Sequence, residues 1–293
     1  MTSVAATRRR QALTNFWTDF RRHRAGVAGM VVLLVAVVLA LVAPLFIDEG
    51  VTSVIDAPGE KFQAPGLDFP FGTDESGRSI LLMIWWGSRA SLLIGFLAAL
   101  LSIVIGMVIG IAAGHFGGWL GGALMRITDW FLVLPSLVTA LVLAAILGGS
   151  TFTIIMAIGV TTWPSTARLI RAQTFAVEAR PYIERSKALG GGHWHITTRH
   201  VLPNVAPLLL ASTTLEVASA IVTESTLAFL GASANKTSWG TMLRGSYDYG
   251  AANEGAWWYI ILPGLAILVV VMAFTLVGRA LEAVLNPRLR RAA

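Results

Sequence analysis

The sequence predicts an all-α membrane protein with six transmembrane helices and both termini in the cytosol. Three observations support this fold class: the composition, the length of the uncharged stretches and the uneven distribution of Lys and Arg. Hydrophobic residues make up 55% of the 293 residues and charged residues only 13%, whereas soluble domains are about 25% charged. The composition excludes a disordered chain, a nucleic-acid-binding tail protein and an ordinary soluble enzyme.

The predicted spans follow from the apolar stretches. A helix that crosses the hydrocarbon core needs about 20 predominantly apolar residues. Stretches of that kind lie at residues 27–47, 90–114, 130–167, 205–229 and 255–278. The stretch 130–167 is long enough for two spans, and Gly148-Gly149 predicts a tight turn between them. The second of these two spans is the shortest, because Trp163-Pro164 interrupts it. The predicted count is therefore six, and the first span is expected to be a signal anchor.

The basic residues predict the orientation. With the N-terminus in the cytosol, 17 of the 22 Lys and Arg residues lie inside, and 9 of the 16 acidic residues lie outside. An excess of Lys and Arg marks cytosolic segments, so an N-in, C-in topology follows. The basic residues that give the net charge of +6 then face the lipid headgroups of the bilayer. Nucleic acid is therefore not an expected partner.

This topology divides the chain into alternating compartments. The expected parts are a basic cytosolic segment 1–26, a first transmembrane helix 27–47, an extracytoplasmic loop 48–89, a core of five transmembrane helices 90–285 and a cytosolic tail 286–293. The apolar end of the outer loop, with paired Trp85-Trp86, predicts a separate helix lying at the membrane interface. Residues 168–204 form a cytosolic loop within the core.

Small residues recur every four positions in the second predicted span, at Ser102, Gly106, Gly110 and Gly114. Such a face lets two helix backbones approach closely. It could serve a dimerisation seam or packing inside one bundle, and packing inside one bundle is the favoured interpretation because such faces are common in polytopic proteins.

The sequence lacks the common catalytic and nucleotide-binding motifs. It has no cysteine, no Walker A loop, no H-E-x-x-H and no G-x-S-x-G. His193, His195 and His200 cluster in the cytosolic loop, where a metal site and a polar, headgroup-facing loop are two interpretations. The scarcity of nearby Asp, Glu and Cys favours the polar loop. We expect a non-catalytic chain that itself binds no metal and no cofactor.

The cytosolic loop contains one short predicted helix. Pro181 suits the first turn of a helix and Gly190 suits its C-terminal stop. Tyr182, Ile183 and Leu189 give this helix an apolar surface. A short cytosolic helix between two spans is a natural docking element for a soluble partner.

This loop resembles the EAA loop of ATP-binding-cassette importer permeases. Glu184, Gly190, Leu202 and Pro203 stand at the spacings of that motif. The two alanines of the motif are Arg185 and Ser186 here, and its apolar position is His200. The resemblance implies that the ATPase docks on a set of nine residues: Tyr182, Ile183, Glu184, Arg185, Ser186, Lys187, Ala188, Leu189 and Gly190.

Further segments extend the resemblance to the dipeptide/oligopeptide/nickel branch of these permeases, and to its C-type subunit. The matching segments, in chain order, are residues 71–78, 87–92, 126–129 with Pro135, 224–231, Trp239-Gly240 and 286–289. One departure lies before the tail, where Gly278-Arg279 replaces the family's Gly-Asp.

The resemblance implies a type I importer permease fold in a bacterial cytoplasmic membrane. It implies a B-type permease as second subunit, two cytosolic ATPases that hold ATP and Mg²⁺, and an extracytoplasmic substrate-binding protein. Peptides are the expected substrate, with nickel or another small solute as the alternative. A stand-alone secondary transporter is the alternative from another class. Many such transporters are built from internal repeats, which the sequence does not show.

Two acidic residues fall inside the fifth predicted span. A charge at the centre of a bilayer costs about 2.5–3.5 kcal/mol on insertion scales, so such residues often serve function. Glu216 and Glu224, with Thr213 and Ser219, are therefore expected to line the translocation path. The alternative is that each acid bonds a neighbouring helix, and it is favoured for Glu224. Asp129 is expected to pair with Arg126.

Overall fold

The computed structural model describes residues 4–233 and 237–285. These residues form helices, connecting loops and one isolated antiparallel bridge between Thr73 and Ser79. The helices, in chain order, are α1 (Val4–Arg22), α2 (Arg24–Phe46), α3 (Ile80–His115), α4 (Gly118–Val133), α5 (Ser136–Leu147), α6 (Thr151–Glu178), α7 (Pro181–Ala188), α8 (His193–Ile196), α9 (Leu202–Phe229), α10 (Trp239–Asp248) and α11 (Trp257–Leu285). The predicted tail segment 286–289 and Lys236 lie outside the described residues.

Within the described ranges, four helices are long and apolar enough to cross a membrane. They are α2, α3, α11 and the continuous helix His193–Phe229 that joins α8 to α9 through one π-helical turn. The pair α4 and α5 passes the same test together, with a bend of 86° between them. The all-helical membrane architecture is thus confirmed with four or five candidate spans, while the count of six and the orientation stay predictions.

The span predicted from Trp130 to the Gly148 turn contains the bend between α4 and α5. Leu134 has extended backbone angles (φ −74°, ψ 131°), and Pro135 follows it. A proline disfavours the helical region for the residue before it, because its ring clashes with that residue's backbone. The helix therefore ends at Val133 and a new one begins at Ser136.

Pro164 behaves in the opposite way, and the prediction that it interrupts a span is wrong. It lies inside the continuous helix α6, which runs for 28 residues. The Thr161 and Thr162 hydroxyls donate to carbonyl oxygens of the preceding turn, Ala157 and Ile158. Neither bond reaches the Val160 carbonyl, which is the one that Pro164 leaves without its backbone donor. Pro164 itself is buried, and packing against neighbouring helices lets a helix continue through a proline.

Residues 80–86 do not form a separate interfacial helix. They are the first two turns of α3, which continues for 36 residues, or about 54 Å at 1.5 Å per residue. The Trp85 indole N–H donates to the Leu39 carbonyl oxygen of α2 at 2.6 Å. This bond ties the two helices together near the loop that connects them.

The tight turn at Gly148-Gly149 is confirmed. Both glycines have positive φ angles, 97° and 62°, a conformation that L side chains rarely adopt. Ser150 then caps α6 by accepting the Thr153 backbone N–H at 3.2 Å, which satisfies one of the free donors at the helix start.

The small-residue face of α3 packs inside the bundle, as favoured, against α6. A Cβ on Gly106 would lie 2.7 Å from the Thr166 Cβ, and one on Gly114 would lie 2.7 Å from the Thr174 Cβ. A Cβ on Gly110 would lie 2.6 Å from the Ala167 carbonyl oxygen. The two helices therefore touch backbone to backbone over at least two turns.

We predict that Gly106→Leu destabilises the protein by about 1–3 kcal/mol or more, because the new side chain overlaps a β-branched residue and a backbone carbonyl. The midpoint of thermal unfolding in detergent, followed by tryptophan fluorescence, should fall. Gly264→Ala is the matched control, since a Cβ on Gly264 of α11 meets nothing within 4 Å. An unchanged midpoint for Gly106→Leu would contradict the α3–α6 contact.

Candidate functional site

The predicted docking helix is present as α7, Pro181–Ala188, with Pro181 in its first turn. Arg180 before it is extended (φ −85°, ψ 139°), as expected for a residue that precedes a proline. Beyond its end, Gly190 has φ +85° and its N–H donates to the Lys187 carbonyl oxygen at 3.0 Å. The sequence signals for the start and stop of this helix are confirmed.

One side chain anchors α7 to the bundle. Ile183 is fully buried, in an apolar cluster that includes Ile170 and Val177 of α6 and Val205 of α9. The other predicted docking residues point away from this cluster: Tyr182, Glu184, Arg185, Lys187, Ala188, Leu189 and Gly190 are exposed and Ser186 is partly exposed. Leu189 is the extreme case, with 83% of its surface exposed. The helix thus presents a mixed polar and apolar surface, and Ile183 is its one buried apolar side chain.

Two residues that the sequence did not single out, His115 and Glu178, join this region. The Glu178 carboxylate accepts a bond from the Lys187 ammonium of α7 at 3.0 Å and contacts the His115 ring. The other ring nitrogen of His115 lies 2.9 Å from the His193 Nδ1. His115 and Glu178 are 63 positions apart, so no local spacing in the sequence points to their contact.

His193, His195 and His200 do not converge on one point. His193 faces His115, whereas the His195 and His200 rings contact each other with centroids 5.5 Å apart. In the part of the chain that the structure describes, no group of three His, Cys, Asp or Glu residues could hold a metal ion.

A cavity of about 500 Å³ lies between α6, α9 and the bend that follows α4. Its polar lining comes from Ser136, Thr161, Thr162, Ser165, Thr166, Ser212, Glu216, Ser219 and Glu282. Glu216 accepts the Thr166 hydroxyl at 3.1 Å. Two of the four predicted path residues, Glu216 and Ser219, therefore line one cavity. Thr213 instead donates to the Leu209 carbonyl oxygen of its own helix.

Glu224 does not line this cavity, and its surroundings agree with the favoured alternative, in which it bonds neighbouring helices. Glu224 is fully buried among the hydroxyls of Ser91, Ser225 and Ser238. The Ser225 hydroxyl donates to the Glu224 Oε2 at 3.4 Å, and the Glu224 Oε1 is buried without a hydrogen-bond partner. The Ser91 oxygen accepts the Trp239 N–H and the Ser238 oxygen accepts the Thr241 N–H. Glu224 thus lies at a junction of α3, α9 and α10.

Asp129 is paired, but with a different residue from the one expected. Its carboxylate accepts the Arg168 guanidinium at 2.6 Å, which joins α4 to α6. Arg126, on the same helix as Asp129, is not its partner. Both side chains of the observed pair are about half exposed, so the bond contributes little to stability.

The loop between α2 and α3 is organised by Asp74, whose side chain is fully buried. Its carboxylate accepts the Ser76 N–H, the Arg78 N–H and the Arg78 guanidinium, the last at 2.6 Å. Burial raises the pKa of the neighbouring Glu75, and the Asp74 charge adds to that rise. This compact loop packs on α11, where the Trp258 indole donates to the Thr73 carbonyl oxygen.

Comparison with known proteins places most of the chain in one family. Residues 106–291 match the family described as binding-protein-dependent transport system inner membrane component, and residues 12–65 match the N-terminal TM domain of oligopeptide transport permease C. The first of these matches covers more than half of the chain.

Several curated relatives align over nearly their full length. The dipeptide transport system permease protein DppC of Escherichia coli (strain K12) is 38% identical over 285 residues, covering 95% of this chain and 94% of the relative. The di/tripeptide transport system permease protein DppC of Pseudomonas aeruginosa (strain UCBPP-PA14) is 35% identical over 287 residues, covering 96% and 94%. The oligopeptide transport system permease protein OppC of Bacillus subtilis (strain 168) is 33% identical over 285 residues, covering 94% and 91%.

The burial of Ile183 predicts that this side chain holds α7 in place. Ile183→Ala should loosen the helix by about 2–5 kcal/mol, because it removes a fully buried side chain from an apolar cluster. Backbone amide hydrogen exchange of residues 184–188 should become faster. The control is Leu189→Ala, whose exposed side chain contributes within about 0.5 kcal/mol. Equal exchange in both variants would show that Ile183 does not hold the helix.

Proposed function

The chain belongs to the family of binding-protein-dependent transport system inner membrane components, and from that premise we propose that it forms half of the translocation path for peptides in an ATP-binding-cassette importer. The observation that carries the proposal is the end-to-end similarity to peptide permeases at 33–38% identity. The absence of a Walker A sequence supports a non-catalytic subunit, with ATP and Mg²⁺ bound by partner ATPases.

We propose six spans with both termini in the cytosol of a bacterium, in its cytoplasmic membrane. The span beyond the five candidates is α6, whose first 17 residues, 151–167, carry no charge. At 1.5 Å per residue they cover about 26 Å, close to the hydrocarbon thickness of about 30 Å. Arg168, Arg171 and Glu178 then lie at the cytosolic end of the helix, and the Arg168–Asp129 pair marks the same membrane face on α4.

In this arrangement α7 projects into the cytosol as the coupling helix. Its exposed surface is the docking site for one of two ATPases, and its buried Ile183 connects that surface to the bundle. A second, B-type permease subunit completes the path, and an extracytoplasmic binding protein delivers the solute. Closure of the ATPases moves α7, and the spans switch between inward-open and outward-open states as rigid bodies.

The cavity at Glu216 is the proposed part of the path within this subunit. It combines hydroxyl groups with two carboxylates, Glu216 and Glu282. Hydroxyls bond peptide groups without strong preference for sequence, and a carboxylate suits the terminal ammonium of a peptide. Glu224, enclosed by serine hydroxyls, is assigned to packing between α3 and α10.

The docking surface can be tested at Glu184 and Gly190. Glu184→Ala removes an exposed charge, and Gly190→Ala forces an L residue to φ +85°, at a cost of about 1–2 kcal/mol. Each should weaken co-purification of the ATPases with the permease and lower peptide uptake by roughly tenfold, as for a central interface residue. Arg22→Ala, at a 78% exposed side chain on α1, is the control. Undiminished docking and uptake in both variants would overturn the assignment of α7.

The path assignment can be tested at Glu216. Glu216→Gln should leave assembly intact and lower the import of a radiolabelled di- and tripeptide mixture by about tenfold, because a charge-assisted bond is worth roughly 1.5–3 kcal/mol. Glu224→Gln is the contrasting variant, and it should lower the amount of assembled complex instead. Normal import by an assembled Glu216→Gln complex would reassign Glu216 to a packing role through Thr166.

A further inference from the structure

Four side chains at the end of the bundle that bears α7 form one connected polar network, defined here as the Glu178 network: Glu178, His115, Lys187 and His193. Both carboxylate oxygens of Glu178 are engaged, Oε1 by the His115 Nδ1 and Oε2 by the Lys187 ammonium at 3.0 Å. The His115 Nε2 continues the chain to the His193 Nδ1 at 2.9 Å. A ring that donates from Nδ1 accepts at Nε2, so every link has a donor and an acceptor.

The four residues stand at the ends of four different helices. His115 is the last residue of α3, Glu178 the last of α6, and Lys187 lies in the last turn of α7. His193 is the first residue of the continuous helix that contains α9. The network therefore joins three long helices to the coupling helix, whereas the backbone between α6 and α7 consists only of Ala179 and Arg180.

The position of Glu178 is electrostatically unfavourable without its partners. The C-terminus of a helix carries a partial negative charge, which repels a carboxylate and attracts a cation. Glu178 is only 13% exposed at this end of α6, and His115 is 2% exposed. A carboxylate in this place needs the Lys187 charge and the His115 N–H, so the two contacts and the location of Glu178 support each other.

We propose that Glu178 is a positioning residue that transmits the displacement of α7 to α3 and α9. The proposal rests on the proposed function, because it takes α7 as the helix that the ATPase moves. Ile183 holds α7 against the bundle through apolar contacts that have no preferred direction. The ion pair and the histidine chain add directional bonds, which oppose sliding of α7 over the bundle and make the helix ends move together.

The test uses the full complex of both permease subunits, the ATPases and the binding protein in liposomes. Glu178→Gln and His115→Gln change the network without replacing any residue of α7. Three quantities are measured: ATPase retained on the tagged permease, ATP hydrolysed, and import of a radiolabelled di- and tripeptide mixture. We expect normal docking and hydrolysis, and a fall in peptide imported per ATP of at least about fivefold, the lower end of typical coupling effects.

A double variant distinguishes transmission of the α7 displacement from a general loss of stability of the permease. If the link acts as one unit, Glu178→Gln with His115→Gln should be no worse than the more affected single variant, because both changes break the same chain. Asp129→Asn is the matched control, since it neutralises another carboxylate in an ion pair, the one to Arg168 at 2.6 Å. It should leave import per ATP unchanged.

Two results overturn the proposal. Unchanged import per ATP in both single variants would show that the network transmits nothing. Loss of ATPase docking in both would show that the network only maintains the shape of α7. Failure of the proposed function is seen separately, as undiminished docking in the Glu184 and Gly190 variants. If Glu178→Gln yields no complex, His115→Gln alone decides, because it keeps the Glu178–Lys187 pair.

Discussion

The close contact between α3 and α6 is the interaction on which the rest of the structure depends. Without a hydrophobic driving force between helices in lipid, helix pairs are held by close packing, which small residues permit. Gly106, Gly110 and Gly114 leave room for Thr166, Ala167 and Thr174. The same Thr166 whose Cβ touches Gly106 donates its hydroxyl to Glu216. The α3–α6 contact therefore positions the Glu216 carboxylate that lines the cavity. One turn beyond Thr174 it also brings Glu178 to His115.

The two acids of α9 show how neighbouring helices assign different roles to the same residue type. Glu216 and Glu224 are eight residues apart, about 12 Å along the helix. Three serine hydroxyls surround Glu224, whereas Glu216 receives one threonine hydroxyl and borders open volume. A buried carboxylate needs several donors to offset the loss of water. Glu224 is enclosed at the junction of three helices and borders no open volume, whereas Glu216 borders the cavity and can meet a ligand.

The sequence predicts those features that depend on local residue pattern. Apolar stretches locate the long helices, Gly148-Gly149 locates a turn, and Pro181 with Gly190 bounds α7, because each signal acts within a few residues. Pro135 and Pro164 show where such reasoning ends: one breaks a helix and the other does not, since the difference lies in what packs around them. Asp129 pairs with Arg168, 39 positions away, and Glu178 contacts His115, 63 positions away. Nothing in the local spacing identifies those partners.

Under the proposed function, α6 is the element that connects energy input to the path. Thr166, which holds Glu216, and Glu178, which holds Lys187, lie on the same helix about 18 Å apart along its axis. The helix α6 is continuous from Thr151 to Glu178 and is held to α3 at the glycine contacts. A displacement applied at Glu178 must therefore move Thr166 as well or break the α3–α6 contact. Packed interfaces switch between discrete arrangements rather than deform gradually. It follows that the cavity wall at Thr166 and the coupling helix α7 change position together. The rigidity of the α3–α6 pair makes this linkage possible, and it matters more than any residue in contact with the ligand.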